Sequence, residues 1–179
     1  MVGLVSLVAG QSVRSQRSSD GVTAHGCVDV LLVTSAGGHL LQMHLLRPAW
    51  TGLSEAWVTH DGDDARSILV GDRVFYAHGP TTRNLPNLLR NLILAWRLIR
   101  KLRPKAILTT GAGLAVPFAW VGRLRGVEVV YVESLTRIEH PSLSCRLIAP
   151  VASRVYVQWP ELLDAIPKAQ FVGTVVTSP

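Results

Sequence analysis

With 179 residues, 48% of them apolar and 17% charged, the chain is long enough for one domain with a well-buried core, or for one domain and a tail. No run reaches the roughly 18–20 uninterrupted apolar residues of a membrane span, and two cysteines, Cys27 and Cys145, exclude a disulfide framework or a CxxC metal site. The net charge of +6 is unevenly placed. No Asp or Glu occurs between Asp72 and Glu128, an interval that holds Arg73, Arg83, Arg90, Arg97, Arg100, Lys101, Arg103, Lys105, Arg123 and Arg125. Such a one-signed region suits phosphates, an anionic bilayer or nucleic acid. Nucleic acid is not expected, because no binding motif accompanies the charge.

Residues 1–26 read as a disordered or overextended tail, rich in Gln, Ser, Arg, Gly and Thr after a short apolar start. No positive charge precedes residues 1–9, so a signal peptide is not expected. From 27 to 179 strand and helix patterns alternate. Residues 28–34 form a β-branched, nearly all-apolar run, as in a strand buried on both faces. The turn Ser35-Ala36-Gly37-Gly38-His39 follows, then a helix over 40–46. A second strand is predicted at 56–59, acidic caps at Asp61, Asp63 and Asp64 for a short helix to 69, and a third strand at 74–77. The longest helix, 86–102, has Asn84 as cap, Pro86 in its first turn and Pro104 as stop. A fourth strand at 106–110 runs into Gly111-Ala112-Gly113. A helix at 114–124, a strand at 127–132, a polar loop at 134–144 leading into 146–151, a strand at 154–157 and an extended piece at 171–176 complete the chain. This alternation predicts βαβ units, that is, a single Rossmann-like, doubly wound parallel sheet.

Ligands of such sheets bind at the carboxyl ends of the strands. Three features fall there. In the first turn, Gly37 and Gly38 remove Cβ atoms where backbone N–H groups face an anion, and the next helix adds its positive end. His39, at that helix start, has a lowered pKa near the dipole and is a candidate base or donor. The second turn, Gly111 to Gly113, repeats the logic, so that the two turns could bracket a diphosphate with Ser35. Glu133 follows an apolar strand and is expected to be exposed, with Arg137 near enough to pair with it or grip a phosphate. The absence of GxGxxG, and of an acid about 20 positions on, disfavours NAD. The DxD reading of Asp61 and Asp63 is rejected in favour of helix capping, and neither metal nor cofactor is expected. On the long helix, Leu85, Leu88, Leu89, Leu92, Ile93, Trp96 and Ile99 share a face expected to pack on the sheet. Arg90, Arg97 and Lys101 form a basic stripe beside it, suited to anionic lipid.

Val33-Thr34-Ser35-Ala36-Gly37-Gly38-His39 resembles the opening of the Alg14-like subunits of two-component glycosyltransferases, whose bacterial relatives work in capsule and exopolysaccharide synthesis. Thr110-Gly111-Ala112-Gly113 with Val116-Pro117, Tyr131-Val132-Glu133-Ser134 with Arg137, Ser142-Leu143-Ser144, and Val157-Gln158-Trp159-Pro160-Glu161-Leu162 with Gly173 extend the likeness over about residues 28–176. Asp64 and Ser67 resemble the family's aspartate–serine element. The VQWPEL string has no physical account from the sequence. The resemblance implies the N-terminal, acceptor-side half of a GT-B glycosyltransferase. A separate Alg13-like subunit would bind the nucleotide sugar, expected to be UDP-linked, and transfer to a polyprenyl-diphosphate-linked sugar would invert the anomeric centre. It places the chain peripherally on the cytoplasmic face of the plasma membrane. Its length leaves no room for a second Rossmann domain, so the donor site is expected on the partner. Eukaryotic members begin with a membrane-spanning helix. Here either surface helices suffice or residues 1–9 are a remnant. Under this reading His39 or Glu133 deprotonates the acceptor. The alternatives are a non-catalytic module that docks a catalytic partner on the membrane, and a stand-alone small-molecule-binding Rossmann protein.

Overall fold

The computed structural model describes residues 26–81 and 84–176. Apart from Gly26, the expected tail therefore lies outside the described residues. Seven strands form one sheet: β1 (Val30–Val33), β2 (Glu55–His60), β3 (Val74–Ala77), β4 (Ala106–Thr109), β5 (Glu128–Val132), β6 (Arg154–Val157) and β7 (Ala169–Phe171). Their order is β3-β2-β1-β4-β5-β6-β7 and every pairing is parallel. This is the expected Rossmann-like sheet. Helices α1 (Gly38–Leu45), α2 (Asp63–Ile68), α3 (Leu85–Leu102), α4 (Ala115–Leu124) and α5 (Leu143–Ile148) connect the strands, with 3₁₀ turns at Arg47–Trp50 and Pro160–Leu162.

Alternation along the strands divides the core in two. Leu31, Val33, Ile107, Val129 and Tyr131 point to the face covered by α3, α4 and α5, where Ala95, Leu98, Phe118 and Ile148 meet them. Val30, Leu32, Leu108, Val130 and Val132 point to the other face, against Leu40, Met43, Trp50 and Ala65. Strand order reverses between β1 and β4, and Val33 pairs with Thr109 at the ends of those strands. The two glycine turns thus leave the sheet side by side at its topological switch point, where open α/β sheets bind ligands.

Three expectations are corrected. The last strand lies at Ala169–Phe171, and the chain leaves the sheet just where 171–176 was expected to be extended, with Gly173 at φ +105°. The loop after β5 is shorter than expected, because Ser142 starts α5 by accepting the Cys145 N–H at 3.1 Å. The third correction concerns α3. Its sheet-facing side is Asn87, Asn91, Ala95, Leu98, Ile99 and Leu102, while Leu85, Leu88, Leu89, Leu92, Ile93 and Trp96 are exposed. Of the predicted apolar face only Ile99 is buried. Asn91, fully buried, accepts the His78 N–H and donates to the His78 carbonyl, both at 2.9 Å, and Asn87 donates to the Pro80 carbonyl at 2.9 Å. The segment after edge strand β3 has polar backbone groups to satisfy, and those needs turn the amides inward and the leucines out.

Candidate functional site

The β1 turn is set by Gly37, whose φ of +77° lies in the region that glycine adopts without strain. α1 starts at Gly38, and the N–H groups of Gly38, His39 and Leu40 find no hydrogen-bond partner among the described residues. The Gly37 N–H does have one: the Asp64 carboxylate, from the first turn of α2. Asp64 was expected to cap its own helix. The residue before that helix, Gly62, makes no side-chain cap bond, and Asp64 instead reaches across to the glycine turn. Asp61 pairs with Arg66 at 2.9 Å, and Asp63 lies 3.7 Å from the same guanidinium. Among the described residues no three His, Cys, Asp or Glu side chains are grouped to hold a metal ion.

The β4 turn is tied to the β1 turn by threonines. Thr110 Oγ1 donates to the His39 carbonyl at 3.0 Å and lies 3.0 Å from Thr34 Oγ1. Gly111 has φ +103°, and a Cβ there would come within 2.9 Å of Tyr131 Oη and 3.1 Å of Ser144 Oγ. Its N–H donates to Thr109 Oγ1 at 3.0 Å, so it is not free for a ligand. Ala112 also has positive φ, +70°, an uncommon conformation for a residue with a Cβ.

Glu133 is wholly buried rather than exposed. Its Oε1 accepts from the Ser134 N–H (2.8 Å), the Ser142 hydroxyl (3.0 Å) and Tyr131 Oη (3.1 Å), and its Oε2 accepts from the Ser142 N–H (2.9 Å). It makes no ion pair with Arg137, because the loop's own donors fill the carboxylate. Among the described residues Arg137 has no ion pair at all, and it lines the cavity. Burial beside Glu133 also pushes the Tyr131 hydroxyl and the Cys145 thiol well up from their ordinary pKa values, so both stay protonated.

A cavity of about 870 Å³ lies over these turns. Its polar lining is His39, Ser134, Thr136, Arg137, Ser142 and Ser144, and its apolar lining is Leu85, Leu88, Val116, Leu143 and Leu147. Of the candidate catalytic and diphosphate-binding residues, His39, Gly113 and Arg137 line it. Ser35, Gly37, Gly38, Gly111 and Glu133 support its walls without lining it. Arg90, Arg97 and Lys101 stand away from it, exposed on α3. The His39 pKa is lowered, first by burial and then by the Arg137 charge, against opposing effects of the Thr110 backbone and Glu133. The predicted direction holds, with burial as the leading cause. His39 Nδ1 is buried and has no hydrogen-bond partner among the described residues.

Two features escaped the sequence reading. Gln42, almost fully buried on α1, donates to the Glu133 carbonyl at 2.8 Å and accepts the Leu135 N–H at 3.0 Å. Nothing in its local pattern signals partners more than ninety residues away. The VQWPEL string now has an account. Trp159 Nε1 donates to the Leu135 carbonyl at 2.7 Å, Gln158 accepts the Val175 N–H at 3.0 Å, and Leu162 is buried in the core.

The family model described as "Oligosaccharide biosynthesis protein Alg14 like" matches residues 72–175, more than half of the chain. This chain belongs to the Alg14-like family. It is 28% identical over 191 aligned positions to the human UDP-N-acetylglucosamine transferase subunit ALG14, covering 89% of this chain and 88% of that protein. The Candida albicans protein of the same name is 26% identical, covering 81% of this chain and 77% of its own length. Among solved structures, Acinetobacter baumannii MurG superposes with a TM-score of 0.66 at 16% identity, over 84% of this chain and 47% of that one. The Alg14-like chain thus spans about half the length of that structure, and its fold is that of one half of a GT-B glycosyltransferase.

Proposed function

We propose that this Alg14-like chain is the acceptor-binding half of a split glycosyltransferase. Its cavity would take the diphosphate and first sugar of a polyprenyl-linked acceptor, and an Alg13-like partner would present a UDP-linked sugar, N-acetylglucosamine being the first candidate from the relatives' names. The observation that carries this reading is the mixed lining of the cavity. It joins Arg137 and His39 to leucines of α3 and α5, and α3 carries further exposed leucines beyond Leu85 and Leu88. A ligand with a charged head and a hydrocarbon tail matches that combination.

In this reading Arg137, with the open N–H of His39 at the start of α1, holds the diphosphate. His39, neutral near pH 7, takes the proton from the acceptor hydroxyl as its oxygen bonds to the anomeric carbon. The bond from that carbon to the UDP oxygen breaks, UDP leaves, and the centre inverts. Glu133 fits a fixed anchor for the loop better than a base, since its carboxylate is filled and buried. The exposed apolar ridge of α3, flanked by Arg90, Arg97 and Lys101, would lie peripherally on the anionic cytoplasmic face of the plasma membrane. No helix among the described residues is long and apolar enough to cross a membrane. The relatives reported above are eukaryotic, so placement in bacterial capsule or exopolysaccharide synthesis rests on the sequence resemblance alone.

The test is co-purification with a candidate donor-binding subunit, followed by a donor screen on a polyprenyl-diphosphate-linked sugar. Transfer by the pair, with loss of at least a hundredfold in kcat for His39→Ala, is the expected result. The exposed α3 ridge also suits the non-catalytic docking alternative. Under it, His39→Ala and Arg137→Ala would both leave transfer intact.

A further inference from the structure

The cation of the cavity sits on a loop with no regular structure, yet the segment just before it is held by three hydrogen bonds from two side chains. The Leu135 N–H donates to Gln42 Oε1 at 3.0 Å, and the Leu135 carbonyl accepts from Trp159 Nε1 at 2.7 Å. The Glu133 carbonyl accepts from Gln42 Nε2 at 2.8 Å. Gln42 lies three residues along α1 from His39, so the two side chains share a face of one helix. A buried amide needs partners for its oxygen and its nitrogen. Gln42 takes both from a single stretch of backbone, which ends two residues before Arg137. Trp159 grips that same stretch from the far side, where β6 ends.

We propose that Gln42, together with Trp159, is a positioning residue that fixes Arg137 relative to His39. The helix that carries the base then also sets the place of the cation. The proposal rests on the reading of this cavity as the acceptor site. It explains why a glutamine is buried on a helix whose other core side chains are apolar, and why the tryptophan of the VQWPEL string turns towards a loop. Release of Gln42 leaves the loop ends tied through the Glu133 carboxylate, so the fold persists while Arg137 moves away from His39.

The charged groups that act on His39 are Arg137 and Glu133, with Asp64 of α2 one turn position away at the Gly37 amide. Arg137 pushes the imidazolium down and burial does so more strongly, so exposing His39 raises its pKa in the same direction as displacing Arg137; the double variant separates the two, because a rise from exposure adds to that of Arg137→Ala and a rise from a displaced Arg137 does not. The experiment is an NMR titration of the histidine ring signals in the full chain, with His39 assigned through His39→Gln. Arg137→Ala is expected to raise the His39 pKa. Gln42→Met is expected to raise it comparably, and the Gln42→Met/Arg137→Ala double variant no further than Arg137→Ala. Trp159→Phe, which removes only the indole N–H, shifts it the same way and serves if Gln42→Met does not fold. A wild-type titration in Gln42→Met or Trp159→Phe while Arg137→Ala shifts, or fully additive shifts, would overturn the proposal. With the partner subunit present, Gln42→Met should raise the acceptor KM about tenfold and change kcat less than threefold, about 1.4 kcal/mol of ground-state binding. If Arg137→Ala leaves the acceptor KM unchanged, the acceptor reading falls, while the titration still decides the positioning.

Discussion

Gly38 and Gly111 both sit in short glycine turns at the ends of neighbouring strands, but their backbones ask different things of them. Gly111 has positive φ and no space for a Cβ between Tyr131 and Ser144, whereas a Cβ on Gly38 meets nothing within 4 Å. Gly111→Ala should therefore cost about 1–3 kcal/mol in chemical denaturation, and Gly38→Ala less than about 1 kcal/mol. At His39 the prediction concerns pH. The base acts when neutral, and its pKa is lowered from 6.5, so activity should fall only as pH drops through that lowered value and stay level from about pH 6.5 upward. A pH–rate profile of the complex that still climbs above pH 7 on its acidic side would remove His39 as the base. The place of the site could be read from the sequence, because Gly37 and Gly111 mark turns at neighbouring strand ends, but of the candidate catalytic and diphosphate-binding residues only His39, Gly113 and Arg137 line the cavity. Glu133 was misplaced for a physical reason. An acid after an apolar strand looks exposed until the chain returns nine residues later with Ser142, and no local pattern records that return. Gln42 and Trp159 were invisible as functional residues for the same reason.

At the scale of elements, α3 shows what periodicity alone misses. Its apolar stripe is real, but the face that docks on the sheet is chosen by Asn87 and Asn91, which satisfy the backbone at Pro80 and His78. Two opposite outcomes follow. Asn91→Leu makes the inner face more hydrophobic yet should lower stability by about 1–3 kcal/mol in denaturant unfolding, because it takes the side-chain partner from both the part-buried N–H and the carbonyl of His78. Leu89→Asp with Ile93→Asp makes the outer face less hydrophobic and should leave the thermal midpoint within a few degrees. The same double substitution should abolish sedimentation with vesicles containing anionic lipid. Binding to those vesicles at wild-type strength would show that the exposed leucines do not meet lipid. The strands were easier to place than this helix face. Runs such as Val129-Val130-Tyr131-Val132 are buried on both sides of a parallel sheet and admit one orientation class, whereas a helix must choose a face.

For the whole molecule, the strand order places the β1 and β4 turns together at the switch point, and the loop after β5 closes the third side of the cavity. Each structural support of the cavity comes from a different part of the fold: Gln42 from α1, Thr110 from just after β4, Glu133 from just after β5 and Trp159 from beyond β6. The alternation of strands and helices made this frame legible, and the resemblance of the SAGGH and VQWPEL strings to the Alg14-like family carried the reading towards a split transferase. The central claim is that this frame binds the acceptor for a reaction completed by a second subunit. Its most direct measurement is transfer from radiolabelled UDP-N-acetylglucosamine to a polyprenyl-diphosphate-linked sugar, by this chain alone, by the co-purified pair, and by the pair carrying Arg137→Ala. The account predicts no transfer by the chain alone, transfer by the pair, and an acceptor KM raised about tenfold by Arg137→Ala, equivalent to about 1.4 kcal/mol. Transfer by the chain alone, or an Arg137→Ala pair with an unchanged acceptor KM, would contradict it.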